Sequence, residues 1–133
     1  MANTIVKVTS MLPVASVEES LPFWQALGFE VTVSIPDGTL IGFVILVKDA
    51  TEVMLQSFGS IGSDQPVLAQ AARRGASFVF IEVADLTLGI EALAAFEMIS
   101  PRRETFYGST EATWREPSGH LVTLAQFPKP GNS

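Results

Sequence analysis

The single histidine of the chain, His120, follows Glu116 by four residues in the stretch R-E-P-S-G-H-L-V-T-L-A-Q-F, residues 115–127. An imidazole beside a carboxylate can ligate a divalent metal or move a proton between acid and base. The intervening Pro117-Ser118-Gly119 is typical of a tight turn, and no second histidine is present to complete a metal site. We therefore interpret His120 and Glu116 as flanking a surface hairpin, with a functional pair as the less favoured alternative.

Other reactive arrangements have less support in the sequence. The chain lacks cysteine, which removes disulfides, zinc-thiolate sites and thiol nucleophiles. No serine lies in a nucleophile elbow. The run Gly59-Ser60-Ile61-Gly62 does not open a phosphate loop. The pair Arg102-Arg103 is interpreted as a solvated patch.

The composition is that of a packed, acidic globular chain. Its 133 residues suit one domain, and 47% of them are apolar. Fourteen acidic against eight basic residues give a net charge of -6, which disfavours nucleic acid as a partner and favours the approach of cations. The N-terminus does not resemble a signal peptide, and the longest apolar run, residues 40–47, is too short to cross a bilayer. We expect a cytoplasmic protein with no membrane partner.

Hydrophobic periodicity and turn residues divide the chain into two similar halves. In the first half, Ser16 and Glu19 match a capping box, and Gly28 ends a helix that contains the unfavourable Pro22. A kink or a late helix start is expected because of this proline. The sequence predicts strands over residues 4–14, 29–35, 39–48 and 51–58, then a loop over 59–64 and a short helix over 65–74.

The second half repeats the first at an offset of 69 residues, since Val14-Ala15-Ser16-Val17 corresponds to Val83-Ala84-Asp85-Leu86. Asp85 is expected to cap the second helix. Strands are predicted over residues 76–84, 98–105, 109–115 and 121–127. Each half is then a βαβββ unit, and a single unit leaves one apolar sheet face uncovered. We predict an α+β fold in which two βαβββ modules form curled mixed sheets around a cleft.

The predicted organisation is a single domain over residues 1–133. The first module takes residues 4–58, and a linker with a short helix takes 59–75. The second module takes residues 76–127, and a frayed tail takes 128–133.

The duplicated pattern and the stretch M-L-P-V-A-S-V-E-E-S-L-P-F-W-Q-A-L-G-F, residues 11–29, resemble the vicinal oxygen chelate superfamily. That group includes glyoxalases, extradiol dioxygenases and bleomycin-resistance proteins. The spacing of Phe23-Trp24 and Leu27-Gly28-Phe29 looks like the bleomycin-resistance branch. The closing R-E-P-S-G-H-L-V-T-L resembles the hairpin Asp-Pro-Asp-Gly of the family, with Glu116 and Ser118 in place of the acids. The resemblance covers most of the chain and is more specific for fold than for function.

Enzymes of this family hold a divalent metal with His and Glu side chains on the first and a later strand of each half. Carried over one at a time, these positions fall at Thr9, Gln56, Phe78 and Thr123. Phenylalanine cannot ligate a metal, and neutral Thr and Gln oxygens bind divalent ions weakly. We therefore predict that the metal of the family is absent and expect no cofactor, no metal and no catalytic residue.

The aromatic residues on the predicted strands favour stacking with a planar ligand or cation-π contact with a positive one, with Glu111 as an acceptor for the cation. The alternative is that these rings simply fill space between the sheets. The predicted cleft residues are Thr9, Met11, Phe43, Met54, Gln56, Phe78, Phe80, Tyr107, Glu111, Trp114 and Thr123.

The leading functional hypothesis is a metal-free binding protein of the bleomycin-resistance type. It would sequester a planar, cationic small molecule, as antibiotic-resistance proteins do, and perform no chemistry. One alternative is a metal-dependent enzyme of glyoxalase or dioxygenase type whose ligands are misplaced by the alignment. A second alternative is a structural or regulatory relic of the fold. A homodimer is expected, because the strand edges of one chain need cover.

Overall fold

The computed structural model describes residues 2–128. Its strands are β1 Ser10–Val14, β2 Glu30–Asp37, β3 Leu40–Lys48, β4 Thr51–Ser57, β5 Phe78–Glu82, β6 Glu97–Glu104, β7 Thr110–Arg115 and β8 Leu121–Gln126. Its α-helices are α1 Val17–Ala26, α2 Phe58–Asp64, α3 Ala69–Ala72 and α4 Leu86–Ala92, with a 3-10 helix at Pro66–Leu68. Apart from Pro128, the predicted tail lies outside the described residues.

The strands of the first half form one four-stranded sheet in the order β1-β4-β3-β2. β1 runs parallel to β4, and the other pairs are antiparallel. Alternate residues of β3 and β4 are buried on one face, among them Val44, Leu46 and Leu55 at 0% exposure. Burial of each such side chain contributes about 1.5–3 kcal/mol. The period-2 pattern of the sequence therefore selects which face joins the core.

The strands of the second half form a sheet of the same order, β5-β8-β7-β6. The parallel pair repeats the register of the first sheet, because Ser10 lies opposite Val53 and Val79 lies opposite Val122. Both strands of this pair are thus related by the offset of 69 residues found in the sequence. The predicted α+β class with two mixed sheets is confirmed.

The chain forms two compact units. Residues 1–18 and 28–73 make the first, and residues 19–27 and 74–133 make the second. By sequence α1 belongs to the first module, but most of it groups with the second sheet. Phe23 explains this grouping, since its ring meets Phe96 edge-on at 5.1 Å between centroids. Ser20 supports it with a hydroxyl pair to Ser118 at 2.8 Å.

The helix ends largely follow the sequence. Gly28 has φ 96° just after α1, the left-handed conformation in which glycine is favoured. Asp85 caps α4 by accepting a hydrogen bond from the backbone N–H of Leu88 at 3.2 Å. α1 begins at Val17 with Pro22 inside it, so the late start is wrong. α4 lies close to its sheet, since a Cβ on Gly89 would come within 2.6 Å of Leu124 Cδ1.

Two predicted elements differ from the structure. The strand predicted over residues 4–14 begins only at Ser10, which pairs with Val53, so the parallel pairing stops although β4 continues to Thr51. Residues 2–8 lie outside the strand and are exposed. The loop over 59–64 is instead α2, capped by the Ser57 hydroxyl, which accepts from the Ser60 N–H at 3.1 Å. Within residues 2–128, no helix is long and apolar enough to span a membrane.

Candidate functional site

The second sheet presents an open face on which several predicted site residues lie together. Residues directly opposite each other in register share a face. Phe80 is opposite Thr123, and Thr123 is opposite Thr113. One row further along, Ala125 lies opposite Glu111. Phe80, Thr123 and Glu111 therefore belong to one face, with Phe78 at its other end and 83% exposed.

Aromatic rings gather at one corner of this face. Phe127 lies 6.3 Å from Phe80 and 6.3 Å from Tyr107, between ring centroids. Tyr107 also meets Phe106 edge-on at 4.9 Å. Phe80 is 53% exposed and Tyr107 is 47% exposed. These rings are therefore open to solvent and can accept a stacking partner.

A buried carboxylate, Glu111, completes this corner. Glu111 is 6% exposed, and its Oε2 accepts from the Ser109 hydroxyl at 2.7 Å and from the Tyr107 hydroxyl. The Ser109 hydroxyl is paired in turn with that of Thr105 at 2.8 Å. The hydrogen bond to Glu111 raises the pKa of Tyr107 above its ordinary value. Phe80, Tyr107, Glu111 and Phe127 are hereafter the aromatic-carboxylate corner.

Trp114 does not share this face. It lies opposite Val122 on the other side of the sheet and is 1% exposed. Alternation along β7 separates it from Glu111, which is three residues away. Trp114 belongs to the buried core of the second unit, and the grouping of Trp114 with Glu111 in one cleft is corrected accordingly.

The remaining predicted residues lie in the first unit, on the open face of the first sheet. Met54 lies between Met11 and Ile45 in one row. In the next row Gln56 lies opposite Phe43, and its Nε2 donates to the Ser60 hydroxyl at 3.1 Å. Most side chains in these two rows are apolar, and Gln56 already has a hydrogen-bond partner. A ligand on this face would therefore meet apolar surface and few polar groups that could bind it.

Thr9 lies at one end of the same face, beside a carboxylate that sequence reasoning missed. The Thr9 hydroxyl donates to Glu52 Oε2 at 2.8 Å, and Lys7 pairs with the same oxygen at 2.7 Å. These hydrogen bonds, that of Lys7 first, lower the pKa of Glu52. The parallel register could have revealed this contact, since Glu52 precedes Val53, the partner of Ser10.

The strand registers of the two sheets can be compared with the positions at which the family resemblance predicts metal ligands. Thr9 and Phe78 are equivalent, as predicted, but Gln56 corresponds to Ala125 and Thr123 corresponds to Met54. The equivalent open-face pairs of β4 and β8 are Glu52 with Leu121, Met54 with Thr123 and Gln56 with Ala125. Glu52 is the single carboxylate among these positions. Over residues 2–128, no three His, Asp or Glu side chains gather where they could hold a metal ion. The residues present do not fit the metal site of the family.

His120 and Glu116 are placed as turn residues, but the surface position predicted for them is wrong. They are 2% and 1% exposed. Glu116 Oε1 accepts from the backbone N–H of Ser118 at 2.6 Å and of His120 at 3.2 Å. His120 Nδ1 accepts from the backbone N–H of Ser77 at 2.9 Å, so this nitrogen carries no proton. Glu116 therefore fixes the turn of the last hairpin, and His120 joins this hairpin to Ser77, the residue before β5.

A shallow depression of about 180 Å³ lies at the end of the second sheet. It is lined by Arg102, Gly108, Thr110, Gln126, Phe127 and Pro128. Two of its polar side chains already bind α4, since Gln126 Oε1 accepts from the Leu86 N–H at 2.8 Å and Arg102 donates to the Thr87 hydroxyl at 2.8 Å. Pockets for drug-sized ligands usually measure about 300–1,000 Å³. The depression beside the aromatic-carboxylate corner is therefore smaller than a typical pocket for a drug-sized ligand.

Comparison with known proteins agrees with the fold. The chain resembles a glyoxalase/bleomycin resistance protein/dioxygenase from Nocardioides at TM-score 0.76 and 18% identity, over 99% of this chain and 89% of that one. It resembles TioX from Micromonospora sp. ML1 at TM-score 0.74 and 17% identity, over 91% and 98% of the two chains. It also resembles lactoylglutathione lyase from Agrobacterium tumefaciens at TM-score 0.73 and 13% identity, over 98% and 100%.

At these identities the structural likeness concerns the fold alone. No curated protein matches the sequence significantly. The sequence model of the Glyoxalase/Bleomycin resistance protein/Dioxygenase superfamily matches residues 4–124. The chain therefore belongs to the glyoxalase/bleomycin resistance protein/dioxygenase superfamily.

Proposed function

We propose that this protein binds a planar, cationic small molecule at the aromatic-carboxylate corner of its second sheet, without a metal and without chemistry. The observation that carries the proposal is the buried Glu111 carboxylate at the foot of exposed rings. Rings supply stacking and cation-π attraction, and a carboxylate supplies the counter-charge. The net charge of -6 favours the approach of a cation.

Isothermal titration of the purified protein with bleomycin and with planar DNA-intercalating cations tests this function. Binding to at least one of them is expected, and Phe80→Ala should weaken it about tenfold, as expected for a stack worth about 1–2 kcal/mol. Phe78→Ala is the matched control, because Phe78 lies on the same face outside the corner and is 83% exposed. Equal losses in the two variants would place the ligand elsewhere. No heat with any compound would remove the binding function.

A metal-dependent enzyme of the same superfamily is the competing class. Its support is the fold likeness to a lactoylglutathione lyase. Metal analysis of the protein purified without chelators distinguishes the two classes. We expect less than one tenth of a metal ion per chain. Stoichiometric nickel, zinc, iron or manganese, with an activity that chelation abolishes, would replace the binding function with catalysis.

We infer in addition that two copies associate through the segment that precedes β1. Residues 2–8 precede β1 and expose β-branched side chains, Val6 at 94% and Val8 at 86%. Such a segment is a ready partner for a strand edge of a second copy.

Light scattering after gel filtration should give twice the mass of one chain, with Val6→Asp shifting it to the mass of one chain. Val67→Asp is the control, at 87% exposure on the 3-10 helix. A monomeric wild type would contradict the inference.

A further inference from the structure

The depression at the end of the second sheet is lined by side chains whose hydrogen-bond donors are largely unused. Arg102 donates to the Thr87 hydroxyl at 2.8 Å and forms no ion pair within residues 2–128. A guanidinium carries five N–H donors, so most of them remain available. The Thr110 hydroxyl, which also lines the depression, makes no hydrogen bond in the same part of the chain. The lining therefore combines a positive charge with a neutral donor.

Gln126 adds further donors because its side chain is held in one orientation. Its Oε1 accepts from the Leu86 N–H at 2.8 Å, and only the carbonyl end of an amide can accept there. The other end, Nε2, makes no hydrogen bond to any residue that the structure describes. Thr110 lies directly opposite Gln126 in the β7–β8 register, so the two side chains share a face. Two neighbouring strands thus present donors side by side.

The charge around this lining is locally positive, although the net charge of the chain is -6. The described residues that line the depression include no Asp or Glu. The acid in the same row is Glu104, which lies opposite Thr110 and is exposed, so solvent and salt screen its charge. Arg103 lies opposite Glu111, on the other face of the sheet. Arg102 is therefore the one charged group of the described lining.

We propose that this depression binds an oxyanion, the carboxylate or phosphate group of a small aromatic molecule. The Arg102 guanidinium supplies charge-assisted hydrogen bonds in a planar fork, and Thr110 and Gln126 Nε2 supply neutral donors. A volume of about 180 Å³ admits a functional group rather than a whole ligand. The ring of the ligand then lies against Phe127 and Pro128, which line the same depression. This inference goes beyond the proposed function, since binding of a cation at the aromatic-carboxylate corner does not require it.

Nuclear magnetic resonance titration of the intact, isotope-labelled protein tests the site. The probes are benzoate and phenyl phosphate, with neutral benzamide as the matched uncharged probe. At least one anion should shift the side-chain amide signals of Gln126 and bind about fivefold or more tightly than benzamide. Arg102→Gln should weaken that anion about fivefold or more, because it removes the charge-assisted donors. Arg103→Gln removes the same charge from the neighbouring residue and should weaken binding less than about twofold at about 0.15 M salt.

Gln126→Glu is a second variant that preserves the contact with α4. Its carboxylate can still accept from the Leu86 N–H but places an acceptor where Nε2 now donates, so it should abolish binding of the anion. Circular dichroism checks that the variants are folded. Benzamide binding as tightly as both anions, equal losses in Arg102→Gln and Arg103→Gln, or unchanged binding by Gln126→Glu would each overturn the proposal. Absence of binding by both anions would overturn it as well, and a preference for one of them identifies the oxyanion.

Discussion

Where the first sheet carries Phe43 and Ile45 on its open face, the second sheet carries Glu111 and Thr113 at the equivalent positions. The buried faces agree instead, since Leu46 and Trp114 occupy equivalent positions and are 0% and 1% exposed. The two repeats thus share their strand register and their core positions but differ on their open faces. The open face of the first sheet is apolar, and that of the second sheet is polar and aromatic. Packing constrains one face of each sheet and leaves the other available for recognition.

The largest expected effect concerns the buried faces. Leu46→Ala and Trp114→Ala should each lower the free energy of unfolding by about 2–5 kcal/mol, because both leave a cavity in the core. Chemical denaturation with urea measures this loss. Ile45→Ala, on the open face of the first sheet, is the control and should cost less than half as much. A loss of stability for Ile45→Ala as large as that for Leu46→Ala would contradict the assignment of Ile45 to the open face and Leu46 to the buried face.

The hydrogen-bond network of the second open face should give the next largest effect. Ser109 is 1% exposed and donates to Glu111, so Ser109→Ala should cost about 1–3 kcal/mol by removing a donor from a buried carboxylate. Ser100 lies opposite Thr113 on the same face. Its hydroxyl makes no hydrogen bond within residues 2–128, so Ser100→Ala should stay within about 0.5 kcal/mol of the wild type. The urea midpoints of unfolding of the two variants test this prediction. Equal losses of stability for Ser109→Ala and Ser100→Ala would contradict the hydrogen-bond network.

Tyr107 makes the second face observable by spectroscopy, because it is the one tyrosine of the chain. The ultraviolet absorbance of tyrosinate should titrate with a midpoint above 10.0, since the hydrogen bond to Glu111 favours the neutral phenol. The stability that this bond contributes is present below the ordinary pKa and is lost as pH rises through the raised pKa. Glu111→Gln should lower the midpoint and Glu82→Gln should not. A wild-type midpoint at or below 10.0 would contradict the bond.

The smallest expected effect belongs to the first sheet, at the ion pair of Lys7 and Glu52. The pKa of Glu52 is lowered from 4.5, chiefly by its hydrogen bond to Lys7. The stability it contributes is therefore present above that value and is lost as pH falls through the lowered pKa. Glu52→Gln should show a slightly flatter loss of thermal stability in acid than the wild type. Glu30→Gln, which removes an acid that forms no ion pair in the described chain, is the control.

The sequence predicted the repeat and the strand alternation because both depend on local periodicity. Asp85 as a cap and Gly28 as a helix end follow from backbone groups that need a partner within a few residues. The extent of β1 was not predictable in this way. Thr4 to Thr9 has the composition of a strand, but composition does not show where pairing with a neighbouring strand stops, and here it stops at Ser10.

The candidate site was predictable in part. Phe80, Tyr107 and Glu111 were identified by residue type, and the structure adds Phe127 and Ser109, which type alone does not distinguish from ordinary strand residues. Trp114 was grouped with Glu111 because both lie on one predicted strand, although three residues of separation place them on opposite faces. Glu52 was missed because its contact with Thr9 spans two distant strands and depends on their register.

Residues 19–27, which include most of α1, belong to the second unit, although the ribosome makes them before β2, β3 and β4 of the first sheet. Phe23 and Trp24 are 0% exposed in the finished protein, and Phe23 packs on Phe96. At about 5–20 residues per second, this partner follows on the order of 4–15 s later. During synthesis the Phe23 ring therefore lacks this contact until Phe96 is made. A fragment that ends after Arg73 would lack it permanently and would be more prone to aggregate.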